Sequence, residues 1–175
     1  MFGRRRNPFR EYVDEAVYGA NDGIITTFAV VSGAAGATLG GDTVIILGLA
    51  NLIADGFSMG ASSFLSIRTE DDVKSVRRWW HRRDSKAVQR SLTTFLAFVV
   101  AGAIPLIPFF NGYAEGREFL VSAIAAACTF FIVGGLRTTV TKRGFFTSGA
   151  EMLTIGGIAA ALAYGIGHLV RAIII

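Results

Sequence analysis

Five long apolar runs divide the chain, at residues 17–39, 43–67, 91–110, 119–136 and 152–170. Each approaches or exceeds the roughly 20 apolar residues that a helix needs to cross a bilayer. None alternates apolar with polar positions as a membrane β-barrel strand does. In hydrocarbon only a helix satisfies its own backbone, so every run is predicted to be helical. The predicted fold class is an all-α integral membrane protein with five transmembrane helices. Short links join them: "GGD" after the first, "NGYAEGRE" after the third and "RTTVTKRGFFTSGA" after the fourth. The longest link, 68–90, has 23 residues. Pro105 and Pro108 are expected to bend the outer end of the third helix, where neighbours can absorb the lost hydrogen bonds.

Charge orients the spans. Lys and Arg number four at the N-terminus, eight in 68–90 and three in 137–148, against only Arg117 and Arg171 on the other side. Fifteen against two is a strong positive-inside bias. It puts the N-terminus in the cytoplasm and, with an odd number of spans, the C-terminus outside. The expected organisation is a cytoplasmic N-terminal segment, 1–16, then a five-helix membrane domain, 17–175, with a basic cytoplasmic link at 68–90. The net charge of +4 is explained by this topology, so no nucleic-acid partner is expected. Only 17% of the 175 residues are charged, against about 25% in a soluble domain. No secretory signal is evident, and a prokaryotic inner membrane is the expected location. Within 68–90, Val73, Val76, Trp79 and Trp80 recur at near-helical spacing among cations. That suits a continuation of the second helix on the inner headgroups, with a partner docking site as the alternative. His81, among arginines, is a poor metal ligand. The single cysteine, Cys128, rules out an internal disulfide and is expected in the core as a small hydrophobe.

The first two runs are not uniformly apolar. At about 100° per residue, Asp22, Thr26, Ala29, Gly33, Gly36 and Gly40 share one face of the first helix, within about 80° of arc. On the second, Asn51, Asp55, Ser58, Met59, Ser62 and Ser66 share about 100°. The small residues have an ordinary use in close helix packing, and "GATLG" is a GxxxG pattern. The acids do not. An ionisable group within a span costs about 2.5–3.5 kcal/mol even on the lenient insertion scale, so it faces a cavity or a partner. Asp55 is the thirteenth residue of its 25-residue run, too deep to reach water easily. Asp22 is nearer the inner mouth. Counted from the ends of the runs, Asp22 and Met59 share a depth, with Asp55 about 6 Å further out.

If the stripes face each other, directly or across a dimer, Asp22, Asn51, Asp55 and Met59 line one polar path. Magnesium and calcium take oxygen ligands alone, while a thioether adds affinity for softer ions. Ferrous iron, or manganese, suits the mixture as a transported ion. No resident cofactor is expected. Other charged groups lie at the edges: Glu151 and Arg137 near the inner interface, His168 near the outer one. Two other classes compete. A lipid-headgroup transferase needs several clustered acids with a nearby Arg, and "NDGIITTF" has one acid and no Arg, so an enzyme is not expected. A membrane assembly protein that transports nothing would use both stripes merely as packing seams.

Two segments carry a resemblance. "AVYGANDGIITTFAVVSG" and "GLANLIADGFSMGASSFLSIRTE" resemble the first two helices of the vacuolar iron transporter family, and "EMLTIGGIAAALAYGIGHLV" resembles its last. The likeness covers most of the chain outside 68–90. It implies five helices with a cytoplasmic N-terminus, a homodimer, and a ferrous-ion path between subunits with exchange against protons. It also implies metal passage at Asp22, from "GANDG", and Met59, from "FSMGAS". Two departures accompany it. Plant-type members have a long glutamate-rich metal-collecting domain between spans two and three, whereas 68–90 is short and mostly basic. Many members have a Glu where this chain has Ser63, and a small residue where it has Asp55.

Overall fold

The computed structural model describes residues 8–74, 84–111, 117–139 and 144–174, and they are almost entirely helical, with no strand among them. Five long helices form the body: α1 (Pro8–Gly36), α2 (Gly41–Lys74), α3 (Asp84–Ala103), α5 (Arg117–Leu136) and α6 (Phe145–Ile174). A 3-10 turn, Ile104–Leu106, and a short helix α4, Ile107–Phe110, follow α3. Pro105 and Pro108 fall in these two pieces. Each proline lacks an N–H and so removes one rung of the ladder. Ser122 Oγ of α5 donates to the exposed rung at Pro105 O, 2.6 Å away. A second 3-10 turn, Arg137–Thr139, closes α5.

Two helices overrun the apolar runs that predict them. α1 is already helical at Pro8, nine residues before its run begins, and α2 continues to Lys74, seven residues past its own. Residues 75–83 of the basic link, with Val76, Trp79, Trp80 and His81, lie outside the described residues.

α1 is the central strut. It packs on α3, α6, α5 and α2. Ile24, Phe28 and Val31 are buried there with Leu52, Phe98, Leu106 and Phe130. Phe28 stacks on Phe119 with ring centroids 6.3 Å apart and meets Phe130 edge-on at 6.2 Å. Against α3, Gly19 and Gly23 bring the backbones together, since a Cβ on either would strike the carbonyl of Thr94 or Phe98. Against α6, Gly36 lies on the Tyr164 carbonyl and Gly167 on that of Gly33.

That central position bears on the membrane. Among the described residues, four stretches are long and apolar enough to cross a bilayer: Gly41–Glu70, Lys86–Phe110, Arg117–Leu136 and Phe145–Ile174. α1 is absent from this set because even its most apolar stretch is diluted by Asn21, Asp22 and many Gly, Ser and Thr residues. A helix ringed by other helices need not be apolar on every side, as one bathed in lipid must. The outer helices behave in the opposite way. Only 6% of the apolar window of α6 is buried within this chain. Cys128 belongs to that outer surface and not to the core. It is exposed on α5 with Ile124 and Ile132, one turn to either side. Its place in an apolar run does not distinguish a lipid-facing side from a buried one.

The turn after α1 is a Schellman motif. Leu39 N–H donates to Ala34 O and Thr38 N–H to Ala35 O, both at 2.9 Å. Such a motif puts one residue in the left-handed region, normally glycine. Here it is Thr38, with φ 53°. A β-branched residue is strained there, whereas glycine is not. Thr38→Gly is expected to stabilise the protein by about 0.5–1 kcal/mol after the extra chain entropy of glycine is set against the relieved strain. A thermal unfolding midpoint in detergent that rises by a few degrees is the expected reading.

Candidate metal path between the first two helices

One antiparallel register sets α1 against α2. Near the start of α1, Ser63 Oγ donates to Glu15 Oε2 at 3.4 Å. Seven residues further along α1 stands Asp22, and eight residues back along α2 stands Asp55, rises of about 10.5 and 12 Å. The two carboxylates lie near enough for the charge of Asp55 to act on Asp22. The polar stripes of α1 and α2 therefore meet within one chain. Depth differs from the count made on the apolar runs. By this register Asp22 and Asp55 stand at similar heights, and Met59 lies one turn, about 6 Å, nearer the start of α1 than Asp55. Because both helices overrun their apolar runs, the ends of those runs do not mark a common plane.

Asp22, Asn51, Asp55 and Met59 are all half-buried. Thr26 Oγ1 is used up locally, donating to the Asp22 carbonyl at 2.9 Å. Among the described residues, neither the Asp22 nor the Asp55 carboxylate has a hydrogen bond or an ion pair. Buried polar atoms nearby are likewise unfilled: Asn21 Oδ1, Asn51 Nδ2 and Thr27 Oγ1 have no partner among the described residues. Met59 leans on the apolar core beside them. The rest of the α2 stripe turns outward. Ser58, Ser62 and Ser66 are exposed, and among the described residues their hydroxyls make no hydrogen bond. Thr69, Ser91 and Thr93, by contrast, each bond back to a carbonyl four residues earlier.

The α1 stripe has two halves with different uses. Its outer half, Gly33 and Gly36, is consumed by packing on α6. Gly40 of the "GATLG" pattern meets nothing within 4 Å, so that pattern is not the contact. The inner half carries the acids, and it is longer than the apolar run suggests. Glu11, Glu15, Tyr18 and Asp22 fall within about 60° of one another on a helix. Spacings of four, three and four residues carry this signal in the sequence, but three of the four positions, Glu11, Glu15 and Tyr18, lie before or at the edge of the apolar run.

These upstream acids meet a base. Arg90 of α3 donates from Nη2 to Glu15 Oε1 at 2.7 Å and from Nη1 to Glu11 Oε2 at 3.4 Å. Thr94 Oγ1 adds a bond to Glu15 Oε2 at 2.8 Å. Glu15 thus ties together α1, α2 and α3. Tyr12 extends the α1–α3 contact by donating to Gln89 Oε1 at 2.9 Å. Away from this region, Arg137 is exposed at the end of α5, Glu151 is half-buried and His168 is exposed on α6. Among the described residues no three His, Cys, Asp or Glu side chains gather into a metal-holding group. For a passing ion, Asp22 and Asp55 would offer two anionic ligands, Asn51 an amide and Met59 a thioether.

Known proteins resemble this chain over most of its length. A family model described as the VIT family matches residues 13–83 and 76–168, breaking within the basic link. A vacuolar iron transporter of Toxoplasma gondii is 26% identical, covering 96% of this chain and 77% of that protein. Vacuolar iron transporter homolog 1 of Arabidopsis thaliana is 26% identical over 91% of this chain and 84% of its own length. Vacuolar iron transporter 1 of Oryza sativa subsp. japonica is 24% identical, covering 92% and 86%. The Toxoplasma and rice alignments run over 233 and 217 positions, so those relatives carry insertions that this 175-residue chain lacks. With nearly the whole length matched, the chain belongs to the VIT family, whose members are transporters and not enzymes.

Proposed function

We propose that this protein carries a divalent metal ion across a membrane along the seam between α1 and α2. Ferrous iron is the first candidate and manganese the second, with protons moving the other way. The observation that carries this reading is the pair Asp22 and Asp55, both half-buried, close enough to feel each other's charge, and with no hydrogen bond or ion pair to either among the described residues. Two like charges in a low-dielectric seam repel strongly unless a cation lies between them or protons neutralise them. A dication and protons are therefore alternative occupants of one site, which is the chemical requirement for exchange. The iron-transporter names of the relatives favour the same ion.

All five long helices span in this reading, α1 included, with the α1 start in the cytoplasm and the α6 end outside. The positive-inside count supports that orientation. A prokaryotic inner membrane is the proposed location. The protein acts as a homodimer. Ser58, Ser62 and Ser66 present unused hydroxyls on an outward face, which lipid would leave unsatisfied and a second copy would cover. One chain also offers few ligands for a six-coordinate ion, and a second Asp–Asn–Met set from the partner would complete it. The rival reading, in which the stripes are only packing seams, fits Gly33 and Gly36 but leaves the two acids without a purpose.

Ferrous-ion flux into proteoliposomes tests the assignment, through the aspartate variants argued below. The thioether gives a finer readout. Met59→Leu conserves volume and keeps the fold, at a cost below about 1.5 kcal/mol. It is expected to reduce ferrous uptake several-fold more than manganese uptake, since sulfur favours the softer ion. Equal loss for both ions would remove Met59 from the path.

A further inference from the structure

The acids at the start of α1 raise a separate question, because a cation already sits on them. Arg90 reaches from α3 into the α1 stripe, its side chain 24% exposed and that of Glu15 only 14%. Its fork is split between two carboxylates, 2.7 Å to Glu15 and 3.4 Å to Glu11. The third nitrogen, Nε, is buried and has no partner among the described residues. This is not the fully bonded arginine of a static structural bridge, which uses its donors in good geometry. Nor does it neutralise its surroundings. Glu11, Asp14 and Glu15 crowd one turn of α1, and Asp14 Oδ1 is buried and unpartnered among the described residues. Glu11 and Glu15 lie on the same face as Asp22, on the side from which Met59 is approached. An ion moving along that face reaches Glu15 before Asp22, and finds a guanidinium on it.

We propose that Arg90 is a tethered counter-cation on the entrance of the path, and that a divalent ion must displace it from Glu15 to pass. The proposal rests on the transport reading above and adds a residue that controls access. Displacement has a mechanical side. Thr94 holds the same carboxylate and also lies backbone to backbone against Gly19. Ser63 adds the α2 contact. Releasing Arg90 thus loosens the joint of α1, α2 and α3 at one end. A monovalent ion, with half the charge, competes far less well against a fixed guanidinium, so the same residue favours divalent ions.

The test is Mn2+ binding to the purified full-length protein in nanodiscs at fixed ionic strength, with free Mn2+ read by electron paramagnetic resonance. Arg90→Gln is expected to tighten Mn2+ binding by about fivefold or more, the scale of one ion pair lost as a competitor. Adding Glu15→Gln to that variant is expected to abolish the gain. The gain is also expected to persist in an Asp22→Asn, Asp55→Asn background, which separates this site from the proposed path. Unchanged affinity in Arg90→Gln overturns the proposal. So does a gain that survives Glu15→Gln, or one that vanishes in the double-aspartate background. If Arg90→Gln is not monodisperse, Arg90→Lys decides. It keeps the charge but not the fork, and about twofold tighter binding supports displacement while none refutes it. Failure of the transport reading would appear separately, as flux that ignores Asp22 and Asp55.

Discussion

Asp55→Asn is expected to abolish ferrous uptake in proteoliposomes while leaving the protein as stable as before, or more so. Removing one partner of a buried charge pair costs about 2–5 kcal/mol, some 30-fold to several-thousandfold in affinity. If the cation is that partner, the loss falls on binding and flux. Stability moves the other way, because a carboxylate with no base beside it is a cost that the amide relieves. This opposite sign separates an ion site from a packing contact. Were Asp55 held by a neighbouring helix, the same substitution would lower the unfolding midpoint. Asp22→Asn is expected to behave alike, since the charge of Asp55 acts on Asp22. The double variant should lose little more than either single one, as residues acting on one ion are not additive. Uptake within twofold of the unsubstituted protein in either single variant would rule out the seam as the path.

Much of this arrangement is legible in the sequence, and where legibility ends has physical causes. Helical character follows from run length and from the demand of lipid on the backbone. The facing of the α1 and α2 stripes follows from period 3.6 and an antiparallel turn. Register does not follow, because it is set where side chains meet, at Glu15 and Ser63, and Glu15 lies outside the apolar run. The reach of α1 back to Pro8 was hidden for the same reason. Hydropathy marks what lipid tolerates, and a helix enclosed by its neighbours is exempt from that demand. Arg90 was hidden by a related effect. Counted only as one of eight cations in the basic link, it looks like a topology signal, yet it pairs with acids 75 and 79 positions away. Composition locates cations but not their partners. Cys128 shows the converse limit, since an apolar run has a lipid side and a core side, and one small residue fits either.

Gly23→Ala is expected to be among the most damaging single methyls in the protein. "GANDG" looks like a polar turn, but it is itself a GxxxG spacing, with Gly19 and Gly23 both on the α3 face. Between them they bring α1 against the Thr94 and Phe98 carbonyls, and Gly102 of α3 answers from the other side. A Cβ on Gly102 would lie 2.7 Å from Gly23 O and 2.9 Å from Thr27 Oγ1. A methyl on Gly23 meets backbone, which cannot rotate away as a side chain can. The helices must part, at an expected cost of about 3 kcal/mol or more once lost packing is added to overpacking. Parting them also shifts Asp22, the adjacent residue, away from Asp55. Gly157→Ala is the control. Nothing lies within 4 Å of a Cβ there, and alanine is the better helix former by up to about 1 kcal/mol. The pair is read by thermal unfolding in detergent, followed by ferrous uptake for whatever folds. A Gly23→Ala protein as stable as the Gly157→Ala one would mean that α1 and α3 are not in backbone contact. The motif glycines would then need another explanation than holding the carboxylate pair in place.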